Sequence, residues 1–196
     1  MTFRSKDHLE KIDKLVSLWS KIDQLNVLAH DYGIKDIFQD NGAKILQQAI
    51  ILNFKVLPGR EGNDAVDALG NEWEMKSANI ELVTGFSTHH HLNFEILAKY
   101  RKVPWSFAFY RHTMLEEIYV LSPDRLKPVF DTWENKLNGI GRKGEKISKI
   151  TSINNPKIPI KFVREEGIKV YPFHETDIVD PCEVIGLCRK QKKSRS

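Results

Sequence analysis

Apolar residues near the start of the chain recur in steps of three and four, at Leu9, Ile12, Val16, Trp19, Ile22 and Leu25. That period predicts an amphipathic helix, or a helix pair, over 5–30, with Gly33 as its stop. A second helix is predicted over 41–52, with Asp40 or Asn41 as its cap. Residues 54–57 read as a strand ended by Pro58-Gly59, and 65–76 as two short strands around a turn at Leu69-Gly70-Asn71. A helix over 93–102 and strands over 104–110 and 116–121 follow. Ser122-Pro123 is a cap followed by proline at the first helical position, which opens a helix to about 137. Pro128 has no place in that pattern. Residues 138–152 form a Gly- and Lys-rich loop, and 158–163 and 168–171 read as strands. Strands with helices before, between and after them predict a mixed α/β fold.

The 196 residues correspond to one domain or two closely packed lobes. A chain of this length buries about 70% of its unfolded surface, enough for a core without staples. No apolar run reaches the roughly 18 residues of a membrane helix, and the opening Met-Thr-Phe-Arg-Ser-Lys-Asp has no apolar signal region. Two cysteines, Cys182 and Cys188, make neither a disulfide framework nor a four-ligand zinc site. A reducing cytoplasm is the expected compartment, with no membrane association. The net charge of +4 is unevenly spread: the last eight residues carry five positive charges, and without them the chain stands at −1. A second basic strip holds Arg142, Lys143, Lys146, Lys149, Lys157 and Lys161 against the single acid Glu145. Such strips suit a polyanion. A solubilising tail and a solvated loop account for them equally well.

One constellation carries chemistry. Asp64 is followed, after nine residues, by Glu74-Met75-Lys76. On a strand, residues two apart share a face, so Glu74 and Lys76 would project together, with Asp64 across a turn. Two carboxylates can hold a hard cation such as Mg²⁺. The cation activates water and neutralises charge on a phosphodiester, and lysine can orient that water or stabilise the charge. Spacing alone decides nothing, because Asp124 and Glu134-Asn135-Lys136 repeat it. That second copy lies in a predicted helix, where residues two apart point about 200° away from each other. Surface ion pairs remain the alternative for the first copy. No phosphate-binding loop, His-Glu-x-x-His or Gly-x-Ser-x-Gly is present. His89, His90 and His91 could ligate a metal, meet guanine N7 and O6, or simply be a polar loop. Asn154-Asn155-Pro156 is ordinary turn chemistry or a pair of amides for adenine.

These residues sit in stretches of a recognisable kind: DIFQDNGAKILQ from Asp36, VLPGREGNDAVD from Val56, GFSTHHHLN from Gly85, AKYRKVPW from Ala98 and INNPKIPIKFV from Ile153. Across about 25–137 and 153–171 the chain resembles the PvuII-type family of type II restriction endonucleases, within the PD-(D/E)xK nuclease superfamily. The resemblance implies a restriction-endonuclease-like core, a mixed central sheet flanked by helices, in a single endonuclease domain. Its parts would be a helical dimerisation region (about 1–35), a catalytic core (36–137), a recognition region (138–171) and an extension with a basic tail (172–196).

It implies a homodimer that cuts double-stranded DNA centrally at CAGCTG, leaving blunt ends with 5′-phosphates, with Mg²⁺ as cofactor. Asp64, Glu74 and the Met75 carbonyl would hold the metal, Lys76 would serve the attacking water, and Tyr100 would lie near the scissile phosphate. His90 and His91 would read guanine and Asn154 and Asn155 adenine. Ser87 and Asp40 would also face DNA. A methyltransferase protecting the same site would be the functional partner. The 138–152 loop is longer than in that family, and 172–196 does not align. A DNA-binding protein without cleavage and a non-specific nuclease of the superfamily are the alternatives. The intact Asp64, Glu74 and Lys76 argue against the first, and the His and Asn stretches against the second.

Overall fold

The computed structural model describes residues 6–39, 41–58, 63–141, 143–172 and 181–186. Asp40, Cys188 and the basic tail fall outside them. The predicted N-terminal periodicity is a single helix, α1 (Lys6–Asp31). Among the described residues it meets the body along its second half: Trp19 stacks on Phe38 with ring centres 5.9 Å apart, Ala29 packs with Ile34, Ile37 and Leu46, and Ile22 lies against them. Along its earlier turns Leu15, Val16, Leu18 and Trp19 stay exposed, Val16 by 65%. After α2 (Gly42–Leu52) come β1 (Lys55–Val56), β2 (Ala65–Val66) and β3 (Glu72–Asn79). Next are β4 (Gly85–Ser87), α3 (Phe94–Tyr100), β5 (Trp105–Arg111), β6 (Met114–Leu121) and α4 (Pro123–Leu137). The chain continues through β7 (Lys157–Pro159), α5 (Ile160–Glu166), β8 (Ile168–Tyr171) and α6 (Pro181–Val184).

Six strands form one mixed sheet in the order β1-β2-β3-β5-β6-β8. β3 and β5 are parallel, with Glu74 opposite Trp105 and Lys76 opposite Phe107, and the other pairs are antiparallel. The alternation along β3 sorts its side chains onto two cores. Trp73 and Met75 face α2, packing with Ala49, Leu52 and Phe54. Ala78 shares the opposite face with Glu74 and Lys76, in the core built from Tyr100, Trp105, Phe107, Phe130 and Ile158. The active-site candidates thus ride on a strand clamped from both sides.

The structure departs from the pattern, or adds to it, at three places. Residues 158–163 are not one strand: β7 stops at Pro159, and Ile160 opens α5. The alternation of Ile158, Ile160 and Phe162 imitates a strand, but Val163 is the residue buried, and Lys161 pairs with Glu165 one turn on at 3.7 Å. Asn41 precedes α2 in the left-handed conformation (φ 64°) and makes no side-chain cap bond. The segment 85–87, unassigned by pattern, is β4, which pairs antiparallel with β7, a partner about 70 residues away. Pro128 sits inside α4 on its exposed side, so the bond it cannot donate leaves the Asp124 carbonyl in water.

Candidate active site and nucleic-acid interface

Two features of the β2–β3 connection aim the catalytic candidates. Asp64 precedes β2, and its Oδ2 accepts from the Met75 backbone N–H at 2.8 Å, which draws the carboxylate across to β3. The turn between the strands is organised by Asp67, buried to 7% exposure. Asp67 accepts from the backbone N–H groups of Leu69 and Asn71, from Asn71 Nδ2 and from Trp73 Nε1, all at 2.9 Å. Cys182 on α6 adds its thiol, Sγ to Oδ2 at 2.9 Å. Asp67 is thus fully occupied in holding the hairpin, and these bonds keep its carboxyl below its ordinary value against the opposing effect of burial.

Glu74 and Lys76 share a face of β3 with Asp64 beside them, as strand spacing requires. Lys76 Nζ lies 2.5 Å from Glu74 Oε1 and 3.6 Å from Asp64 Oδ2. The ammonium also stands over the Trp105 ring, 5.6 Å from its centre. Glu74 is only 4% exposed. Burial pushes its carboxyl up to about 7, with Lys76 pulling it back and Asp64 pushing it further. For Lys76, burial alone would lower the pKa. Glu74 and Asp64 outweigh it and hold the ammonium above its ordinary value. Tyr100 edges onto Trp105 with ring centres 4.6 Å apart, and burial keeps its hydroxyl protonated. The decoy triplet stays apart: Asp124 opens α4, while Glu134 near its other end pairs with Arg101.

The four groups line a cleft of about 900 Å³. Asn63, Glu72, Asn93, Lys99 and Lys102 line it too, and pattern reading picked out none of them. Lys99 and Lys102 stand three apart at the end of α3, a spacing that would have marked a cationic cleft wall.

His89 reaches the same cleft. Its Nδ1 accepts the His91 backbone N–H at 3.0 Å, and its carbonyl accepts from the Asn155 backbone at 3.1 Å. Asn155 Oδ1 accepts from Thr88 N at 3.2 Å, and Thr88 Oγ1 donates to the Pro156 carbonyl at 2.6 Å. Leu92 and Ile153 exchange both backbone bonds, at 3.0 and 2.8 Å. Two segments about 65 residues apart in sequence are therefore one surface, bearing exposed Ser87, His90, His91 and Asn154. Asn155 adopts φ 42°, a left-handed turn that asparagine tolerates well. Asp40, expected at this interface, lies outside the described residues.

Among the described residues no three His, Cys, Asp or Glu side chains converge for a metal, and His89 and His91 belong to no such group. The Asp64–Glu74 pair is different in kind. Both donors are hard oxygens, and a cationic ammonium already sits against both of them. A divalent ion with backbone and water oxygens completing its shell fits that donor set. Also among the described residues, no helix is long and apolar enough to cross a membrane.

A comparison with family sequence patterns agrees with the geometry. The pattern described as restriction endonuclease PvuII matches residues 8–171, from within α1 to the last residue of β8. With most of its length inside that match and its acidic cleft in place, the chain belongs to the PvuII restriction endonuclease family.

Proposed function

We propose that this protein is a type II restriction endonuclease that hydrolyses double-stranded DNA at CAGCTG, between the central bases, to blunt 5′-phosphate ends. The observation that carries the proposal is the shared cleft. Asp64, Glu74, Lys76 and Tyr100 line it together with His89, whose loop is knitted to Asn155. Asp64, Glu74 and the Met75 backbone carbonyl would hold Mg²⁺. The ion would supply an activated water and charge neutralisation at the phosphate.

Lys76, kept charged between two carboxylates, orients the attacking water or steadies the growing phosphate charge. Tyr100 stands at the cleft wall, where its protonated hydroxyl can donate to a phosphate oxygen. His90 and His91 present imidazole donors to guanine, and Asn154 and Asn155 present amides to adenine. Ser87 and Asp40 complete the DNA-facing set. The uncovered apolar turns of α1 support a homodimer, whose two-fold axis would match the palindrome and deliver one cut per strand. Residues 1–35 would be its dimerisation region, and a methyltransferase modifying the same sequence would protect the host DNA in the cytoplasm.

Lys76→Ala tests the assignment. The variant should bind a CAGCTG duplex in Ca²⁺ as the wild type does, and lose cleavage in Mg²⁺ by about 10²–10³-fold, as removal of a preorganised stabilising group does. Cleavage at the wild-type rate would contradict the role given to Lys76.

A further inference from the structure

We propose that the hairpin formed by residues 139–141 and 143–147 is a phosphate clamp for duplex flanking the recognition sequence. The proposal rests on the DNA-cleaving function above and extends it to a surface outside the cleft. The hairpin is built, not a slack loop. Ile147 N–H donates to the Gly139 carbonyl and Gly141 N–H to the Glu145 carbonyl, both at 2.8 Å. Ile140 and Lys146 form an antiparallel bridge. Gly139 has φ +75°, and a Cβ there would lie 2.6 Å from the Ile147 carbonyl oxygen, so the position demands glycine.

With α4 the hairpin encloses a groove of about 730 Å³, lined by Lys136, Ile140, Ile147, Asn154 and Lys157. The groove therefore adjoins the candidate reading surface directly. Lys157 is paired across the strands with Ser87, and Asn154 belongs to both places.

Charge on this surface is arranged for an external anion. Lys136, Lys143, Lys146, Lys149 and Lys157 are exposed, and none pairs with a carboxylate among the described residues. Several cations of the neighbouring helices and of β8 are, by contrast, already neutralised: Arg101 by Asp131 and Glu134, Arg125 by Glu166, Lys127 by Asp131, Arg164 and Lys169 by Glu117. The one acid of the hairpin, Glu145, is exposed and lines the groove, where it is held by the Lys143 backbone N–H at 2.8 Å and pairs with none of these lysines. Free ammonium groups on and around a glycine-set hairpin, continuous with the candidate base-reading side chains, suit phosphates on either side of a short target.

The test combines salt dependence with duplex length. A Lys143→Gln, Lys146→Gln, Lys149→Gln variant is compared with the wild type for binding to long CAGCTG duplexes in Ca²⁺. Three lost phosphate contacts lower the slope of log affinity against log salt by about 2.7, so the wild-type advantage shrinks about 40-fold between 50 and 200 mM salt. Trimming the flanks to three base pairs should cost the wild type that advantage and leave the variant almost unchanged. Equal slopes for the two proteins overturn the clamp. So does an equal fall in slope for a control with Arg125→Gln, Lys127→Gln and Lys169→Gln, which would make net charge the cause. Failure of the wild type to bind any duplex overturns the DNA reading itself and the clamp with it.

Discussion

Asp67→Ala is the perturbation whose size the structure sets most closely. Asp67 satisfies two backbone donors of the turn, the Asn71 amide and the Trp73 indole. Trp73 is fully buried, so its N–H finds no water when the carboxylate is gone. An orphaned buried donor costs about 1–3 kcal/mol, and each partly exposed turn bond a further ~0.5–1. The sum is about 4 kcal/mol. For a chain of this size each kcal/mol moves the melting temperature by about 2–4 °C, so the variant should melt some 8–16 °C lower.

Asp67→Asn should recover little of this. Its oxygen can serve the backbone donors, but its amide N–H₂ then faces the indole N–H, donor against donor. The hairpin also aims Asp64 and Glu74, so cleavage should fall in both variants at temperatures where they remain folded. Because the folded-state pKa of Asp67 is lowered, its contribution is present above the unfolded value of about 3.9 and is lost as pH falls through the folded value. The wild-type advantage over Asp67→Asn should accordingly vanish only in strong acid. Urea melts followed by tryptophan fluorescence over a range of pH measure these stability differences. A loss below about 1 kcal/mol for Asp67→Ala would refute the view that this carboxylate holds the turn.

Other expectations are as specific. His91→Ala should lose about 1–3 kcal/mol of discrimination at one base pair, read as the ratio of cleavage at CAGCTG to single-mismatch sites, and an unchanged ratio removes His91 from the readers. Val16→Glu lies on the uncovered stripe of α1 and should shift the protein from dimer to monomer in sedimentation without lowering its melting temperature in the monomeric state. A wild type that is already monomeric at micromolar concentration would remove the role given to α1. Arg101→Ala breaks the link from the end of α3 to Asp131 and Glu134 of α4 and should cost about 1 kcal/mol, since the three groups are only partly buried. A larger loss in thermal melts would show that the pairs do more than tie two helices together.

The parts of the fold legible in sequence are those ruled by local periodicity. α1, α4, β5 and β6 follow their apolar spacing, and Ser122 caps α4 as expected, its side chain accepting from the Arg125 N–H. Where tertiary pairing decides, the pattern was silent or misleading. β4 is three residues long and exists because β7 lies beside it. α5 mimics strand alternation until Pro159 and the burial of Val163 settle its state. For the site, strand spacing puts Glu74 and Lys76 on one face, a turn allows Asp64 to meet them, and helix spacing sets the decoy apart. The meeting of the His loop with Asn155, the Trp105 ring beneath Lys76 and the anchoring of the turn by Asp67 depend on contacts between distant segments. The roles of the base readers came from resemblance and not from geometry.

The most direct test of the central claim is digestion of two plasmids in Mg²⁺, one carrying a single CAGCTG and the other the same site altered at one base. A single blunt linear product from the first plasmid alone, abolished by chelating the metal, is the predicted result. Cutting of both plasmids, or cutting undiminished by chelation, would contradict the account.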